Sequence, residues 1–334
     1  MSQADDMTTD EAPFPDLGRL REWRQQIQED ATSATTTTTP ATAEPEDEEE
    51  PEPEETISLW SRLRESAHLQ REETLVITDV TARRGLIPET LIVLGVSLGA
   101  SAIRSILTLV DIMTRQTLAA TTVYMNNSVA ADRSWLDFLN QLTTIVLTLM
   151  PVVLALYLLA SIRRPASGPL HVMGLTMGNA KRDIALGTLM AAGVGVPGLA
   201  LYAIARAIGI NATIAAGNLA AHWWTIPMYI LLAAMNGVLE EVIMIGYLFT
   251  RWTQRGWKPW LVILVSALIR GSYHLYQGFG GFIGNVIMGV IFGWIYMRTK
   301  RVLPLIIAHT LLDVISFVGY SLLASHWAWL GGQG

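Results

Sequence analysis

The chain has 334 residues, 51% of them hydrophobic and 16% charged, with no cysteine and a net charge of −6. Without cysteine there are no disulfides and no thiolate metal centres. The sequence holds no phosphate-binding loop, dinucleotide fingerprint, nucleophile elbow or basic patch, so nucleic acid is not an expected partner.

Charge is segregated along the chain. Residues 1–56 hold 17 acidic residues against three arginines, a net of −14, which leaves +8 for residues 57–334. The first segment contains "TTTTTPATAEPEDEEEPEPEE", which carries too little apolar surface to fold, so 1–56 reads as a disordered acidic tail. Within it Leu17, Leu20, Trp23 and Ile27 follow Asp16 at helical spacing, which reads as a transient helix in a solvated tail, with docking to a cytoplasmic partner or the membrane surface as the alternative. The acidic start and the distance to the first apolar run argue against a cleavable signal peptide. Residues 57–86 read as a juxtamembrane amphipathic segment.

From 87 to 330 the expectation is a transmembrane domain, an all-α polytopic helix bundle in the lipid bilayer. A span needs about 20 mostly apolar residues. Seven segments qualify: 88–112, 137–161, 183–207, 223–250, 259–277, 280–298 and 302–326. The stretch Gly168–Asp183 is too interrupted to cross and is expected at the interface. Arg83, Arg84, Arg163, Arg164, Lys181, Arg182, Arg251, Arg255, Lys258, Arg298, Lys300 and Arg301 fall on one side of this arrangement. Only Arg115, Arg133 and Arg206 fall on the other. The positive-inside rule then predicts a multi-pass protein with a cytoplasmic N-terminus and an external C-terminus, and the plasma membrane is its expected location.

The adjacent glutamates Glu240 and Glu241 sit inside "NGVLEEVIMIGYLF", and a charge at bilayer depth costs at least about 2.5–3.5 kcal/mol. The spans also contain Arg104, Asp111, Arg270, His274, Asn285, His309 and Asp313. Counting about 1.5 Å of rise per residue from the cytoplasmic ends puts Glu240 and Glu241 roughly 14–16 Å deep, and Arg270 and Asp313 about 17 Å. The same count gives roughly 22 Å for His274 and 11 Å for His309. Three helices therefore bring ionisable groups into one slab. His309 and Asp313 are one turn apart, as are Arg270 and His274. Glu240 and Glu241 are about 100° apart on their helix and must play different roles. Glu240 shares a face with Asn236. The pairs Gly280–Gly284 and Gly289–Gly293 suit close helix packing.

"EEVIMIG" (Glu240–Gly246), "RGSYH" (Arg270–His274), "GNVIMGVIFG" (Gly284–Gly293) and "HTLLD" (His309–Asp313) resemble, in order, the motifs of the CAAX protease and bacteriocin-processing family. That family comprises intramembrane endopeptidases, among them the type II CAAX prenyl proteases. The resemblance covers about residues 220–320. It implies a peptidase in which Glu240 is the general base and His274 its partner in activating water. It also implies that His309 and Asp313 support the oxyanion or help ligate a metal. A Zn²⁺ site with Glu240, His274, His309 and Asp313 as ligands is one reading, a metal-free site the other. The family pattern EExxxR, FxxxH, HxxxN is broken at three places. Ile245 replaces the Arg, Arg270 the Phe, and Asp313 the Asn. Arg270 lies near the depth of Glu241, and the prediction is that it contacts Glu241 and supplies the missing cation. The expected substrate is a membrane-associated peptide or protein, prenylated where the host prenylates.

Several polar residues have plainer readings. His68, His171, His222 and His326 fall outside the spans or at their ends. Arg104 is expected to pair with Asp111 or another helix, and Tyr273 and Tyr276 to line the site or simply pack. Asn126 and Asn211 head sequons on the outer side. An inactive scaffold or immunity-type protein of the same fold is the alternative function. A proton-coupled transporter lacks the paired broken helices such folds use.

Overall fold

The computed structural model describes Ile77 and residues 79–162 and 168–323. The acidic tail, most of the segment 57–86, His68 and His326 lie outside the described residues.

The described chain is built from nine main helices: α1 (Val80–Gly95), α2 (Leu98–Arg115), α3 (Ser134–Ile162), α4 (Ala180–Ala207), α5 (Thr225–Glu240), α6 (Leu248–Gln254), α7 (Pro259–Tyr273), α8 (Phe279–Thr299) and α9 (Leu303–Leu323). Residues Glu241–Tyr247 form a π-helical segment that joins α5 to α6 without a break. Five helical stretches are long and apolar enough to cross a bilayer, and α1 with α2 makes a sixth if the pair, bent by 54°, is one span. This is a multi-pass membrane protein. Its exposed side chains include Val153, Tyr157, Leu189, Val196, Trp294 and Ile315, apolar faces of the kind lipid covers.

The predicted seven spans are corrected at two places. The first is broken at Val96–Ser97, where Ser97 Oγ bonds back to Val93 O (2.5 Å), and the chain bends there. The fifth, expected over 259–277, stops as an α-helix at Tyr273 after 15 residues. At about 1.5 Å per residue that is roughly 22 Å, short of a hydrocarbon core of about 30 Å. The chain continues as a 3₁₀ turn, Leu275–Gln277, and turns into α8 at Gly278, whose φ of 109° suits glycine.

Two short strands were not expected. β1 (Thr122–Asn126) pairs in parallel with β2 (Thr213–Gly217), Thr122 opposite Thr213 and Asn126 opposite Gly217. The β-branched and aromatic run Thr121–Tyr124 carried that signal.

Some charges assigned to linkers are structural instead. Arg251, 1% exposed, bonds Glu89 Oε1 through Nε (2.7 Å), Gln254 Oε1 (2.9 Å) and Leu158 O (2.6 Å). Tyr247 donates to the same Glu89 oxygen (2.7 Å). Arg301 makes a bidentate pair with Asp183, itself 1% exposed, and bonds Thr176 O. A planar guanidinium satisfies several fixed acceptors at once, which allows it to be buried. Asp111 pairs with Arg115 in the open (2.6 Å), not with Arg104. Asn211 is buried at 1%, so it does not present a sequon. Its Oδ1 accepts from Gly281 N (2.8 Å).

The stretch Thr225–Gln254 is the central one. Of its most apolar window 67% is buried, against 17–33% in the other four candidate spans. Val242, Ile243, Met244 and Ile245 pack there against residues of α3, α7, α8 and α9. At Gly237 a Cβ would lie 2.6 Å from Thr310 Oγ1, so glycine allows α5 to lie against α9 beside His309. At Gly289 a Cβ would lie 2.9 Å from Ala267 Cα, and the missing side chain brings α8 onto α7 one turn before Arg270.

Candidate active site

The central stretch carries two carboxylates that meet side chains from α7 and from α9. They are treated differently by what surrounds them. Glu241, the first residue of the π segment, is fully buried, and its Oε1 takes two bonds: from Arg270 Nη2 on α7 (2.6 Å) and from His309 Nδ1 on α9 (2.7 Å). Arg270 is 1% exposed, and its guanidinium carbon lies 5.6 Å from the Phe292 ring centroid on α8. A buried carboxylate of this kind needs a hydrogen-bonded cation close by, and the expected contact of Arg270 with Glu241 is present. Ile245, in the position of the family arginine, is 1% exposed and packs in the apolar core.

Glu240 sits one residue earlier with a side chain 10% exposed. Its Oε2 accepts from Tyr273 Oη (2.7 Å) and lies 3.8 Å from His274 Nε2 and 3.9 Å from Arg270 Nη1. Neither His274 Nε2 nor Arg270 Nη1 has a hydrogen-bond partner, nor does Glu241 Oε2. His274 caps the C-terminal end of α7, where the helix gives way to the 3₁₀ turn, so its ring stands at a helix end. π segments and helix breaks both recur at functional sites, because they re-aim side chains that a regular helix would spread around its axis.

Asp313 lies a turn beyond His309. Its Oδ1 is 3.9 Å from His309 Nε2, and its Oδ2 accepts from Asn236 Nδ2 (2.9 Å). Since a carboxylate only accepts, the bond to Glu241 puts a hydrogen on His309 Nδ1 and leaves Nε2 as the atom turned toward Asp313. Exposure thus grades the cluster. Arg270, Glu241 and His309 are sealed at 1%, 0% and 5% of their side chains, whereas Glu240, His274 and Asp313 reach 10%, 13% and 15%.

The structure brings together Glu240, Glu241, Arg270, His274, His309 and Asp313. Asn285 does not join them: its amide donates to Gly281 O within α8 (3.0 Å), and among the described residues it makes no bond to the cluster. Tyr273, Asn236 and Gln277 are the additions. For Tyr273 the signal was its place beside His274, and for Asn236 its shared face with Glu240. Gln277, three residues after His274, carried none that a single sequence shows.

A divalent cation fits this cluster poorly. The donors within 4.8 Å of one another are Glu240, Glu241 and His309, not the four expected from the resemblance. Glu241 and His309 are already bonded to each other, and the Arg270 guanidinium stands beside both carboxylates. A fixed positive charge already stands against the carboxylates that would ligate a metal ion.

Residues 222–315 match the family model described as type II CAAX prenyl endopeptidase Rce1-like. That stretch contains every residue of the cluster, from Asn236 to Asp313. The fold is a CAAX-protease-like intramembrane fold. Over residues 222–315 the chain is similar to the CAAX protease and bacteriocin-processing family, with Ile245 in place of the motif arginine. No curated protein and no solved structure matches it.

Proposed function

We propose that the protein is an intramembrane endopeptidase that hydrolyses a peptide bond of a membrane-associated peptide or protein. The observation that carries this reading is the pairing of Glu240 Oε2 with His274 Nε2 at 3.8 Å, backed by the sealed Arg270–Glu241 ion pair. Both atoms can hydrogen-bond one water molecule. Glu240 takes its proton as general base while His274 orients it, and the resulting hydroxide equivalent attacks the scissile carbonyl.

The tetrahedral intermediate needs donors for its oxyanion. His309 in its imidazolium form provides Nε2–H, with carboxylates at 2.7 Å from one ring nitrogen and 3.9 Å from the other. Ionised Asp313 has no hydrogen to donate, so its part is to orient His309 and to hold Asn236. The leaving amine recovers the proton from Glu240. The poor fit of a divalent cation supports a metal-free course.

The family points to a C-terminal CAAX segment as substrate in a host that prenylates. The excess of arginine and lysine on one side supports a cytoplasmic N-terminus and an external C-terminus; in a plasma-membrane protein the acidic tail would then meet a cytoplasmic partner.

The test is cleavage of a farnesylated peptide ending in a CAAX sequence by the detergent-solubilised protein. Glu240→Gln should abolish turnover and leave the thermal unfolding profile intact. Near-full activity of Glu240→Gln removes Glu240 as the base, and no cleavage by the unsubstituted protein overturns the peptidase reading.

A further inference from the structure

The turn that follows His274 is held from several sides. Tyr276 N donates to Ser105 Oγ on α2 (2.7 Å), Ala212 N donates to Gln277 O (2.9 Å), and Phe279 N donates to Ile210 O (2.9 Å). Asn211, whose Oδ1 receives Gly281 N, is itself held by Arg206 Nη1 on its carbonyl (2.9 Å). The head of β2 and the middle of α2 therefore fix three residues whose backbone would otherwise be free at a helix end.

Gln277 sits in this turn, 6% exposed. Its Nε2 lies 3.3 Å from His274 Nδ1 and 3.1 Å from Tyr276 Oη. An amide nitrogen carries two hydrogens, so it can donate to both at once. A ring nitrogen that receives an N–H carries no hydrogen of its own, and in the neutral imidazole the proton then resides on the other nitrogen. For His274 that is Nε2, the atom turned toward Glu240.

We propose that Gln277 is a positioning residue: it selects the Nε2–H tautomer of His274, fixes the ring plane and presents Nε2–H to Glu240. The tautomer assignment stands on this geometry alone, and only its effect on rate rests on the endopeptidase reading. A His274 with the proton on Nδ1 would turn a lone pair toward the Glu240 carboxylate, two acceptors facing each other. The β1–β2 pair and the buried Asn211 then have a role in the site, since they hold the turn from which Gln277 reaches back.

The test uses the full-length protein with ¹⁵N-labelled histidine in detergent micelles, at a pH where the neutral ring dominates, with His274 assigned by its loss in His274→Ala. Protonated and unprotonated ring nitrogens give separate signals. The expected result is a protonated Nε2 and a bare Nδ1 in the unsubstituted protein. Gln277→Leu should give a mixture of tautomers. Gln277→Glu keeps the shape of the side chain but can only accept when ionised, and it should move the proton to Nδ1. On the farnesylated CAAX peptide, Gln277→Leu should lower kcat by about 100-fold, the low end of what a misplaced acid–base group costs, with KM within about twofold.

A proton on Nδ1 in the unsubstituted protein, or an unchanged tautomer in both variants, overturns the proposal whatever the activity. If the tautomers move as stated while the unsubstituted protein cleaves no peptide, the hydrolytic reading fails and the positioning role of Gln277 stands.

Discussion

Arg270 on α7 donates through Nη2 to Glu241 Oε1 on the π segment at 2.6 Å, and neither side chain is more than 1% exposed. The same oxygen receives His309 Nδ1. One carboxylate therefore ties three elements of the site together. It also leaves Glu240, one residue away, to face Tyr273 and His274. The two glutamates divide between holding the site and, in the proposed reaction, serving as its base.

Removing one member of that pair leaves a buried charge without its partner, at a typical cost of about 3–5 kcal/mol. Arg270→Met and Glu241→Gln should each destabilise by this order in chemical denaturation of the micelle-solubilised protein. The double variant should lose clearly less than the two single losses combined, because it buries no uncompensated charge. Additive losses would show that the pair is not coupled.

Tyr273→Phe removes a hydrogen bond to a charged acceptor and almost no volume. A bond of this type contributes about 1.5–3 kcal/mol. The expected result is a stability loss of that order. A thermal and denaturant profile equal to that of the unsubstituted protein would mean Glu240 does not depend on Tyr273.

Metal removal should leave the proposed activity unchanged. Dialysis against a chelator, followed by elemental analysis and the farnesylated-peptide assay, checks this. Activity that falls with chelation and returns with Zn²⁺ would place the cation in the site despite Arg270.

Arg251 should behave as a core residue and not as a linker charge. Its guanidinium bonds Glu89, Gln254 and the Leu158 carbonyl, and a lysine cannot reach all three from one ammonium. Arg251→Lys should cost stability almost as heavily as Arg251→Ala, whereas Lys258→Ala should be close to neutral. Equal tolerance at both positions would contradict the buried placement.

Orientation is testable because the chain has no cysteine. In intact cells an impermeant thiol reagent should label Val129→Cys, at a residue 68% exposed, and should reach Lys258→Cys only after permeabilisation. The reverse pattern would invert the predicted topology.

The apolar runs and the ionisable residues were legible in the chain itself. Hydropathy over 20-residue windows is a local property, so the predicted segments fall on helical stretches, although the first is broken and the fifth is too short to cross. The charges of Glu240, Glu241, Arg270, His274, His309 and Asp313 stand out because apolar spans penalise them. Even the Arg270–Glu241 contact could be read, since a missing cation and a surplus one at matching depth have few ways to be reconciled.

Tertiary structure decided the rest. The π turn after Glu240 and the end of α7 at His274 depend on what packs around them, and no local preference announces either. The parallel pairing of β1 with β2 joins residues some 90 positions apart, and the bonds that hold the turn carrying Gln277 are also long-range, to Ser105, Ile210 and Ala212. Whether Glu241 or Glu240 is sealed also follows from the neighbours each meets. Sequence shows which groups are too costly to be idle in a membrane. Only the assembled helices set the few ångströms and the exposure that give each its partner.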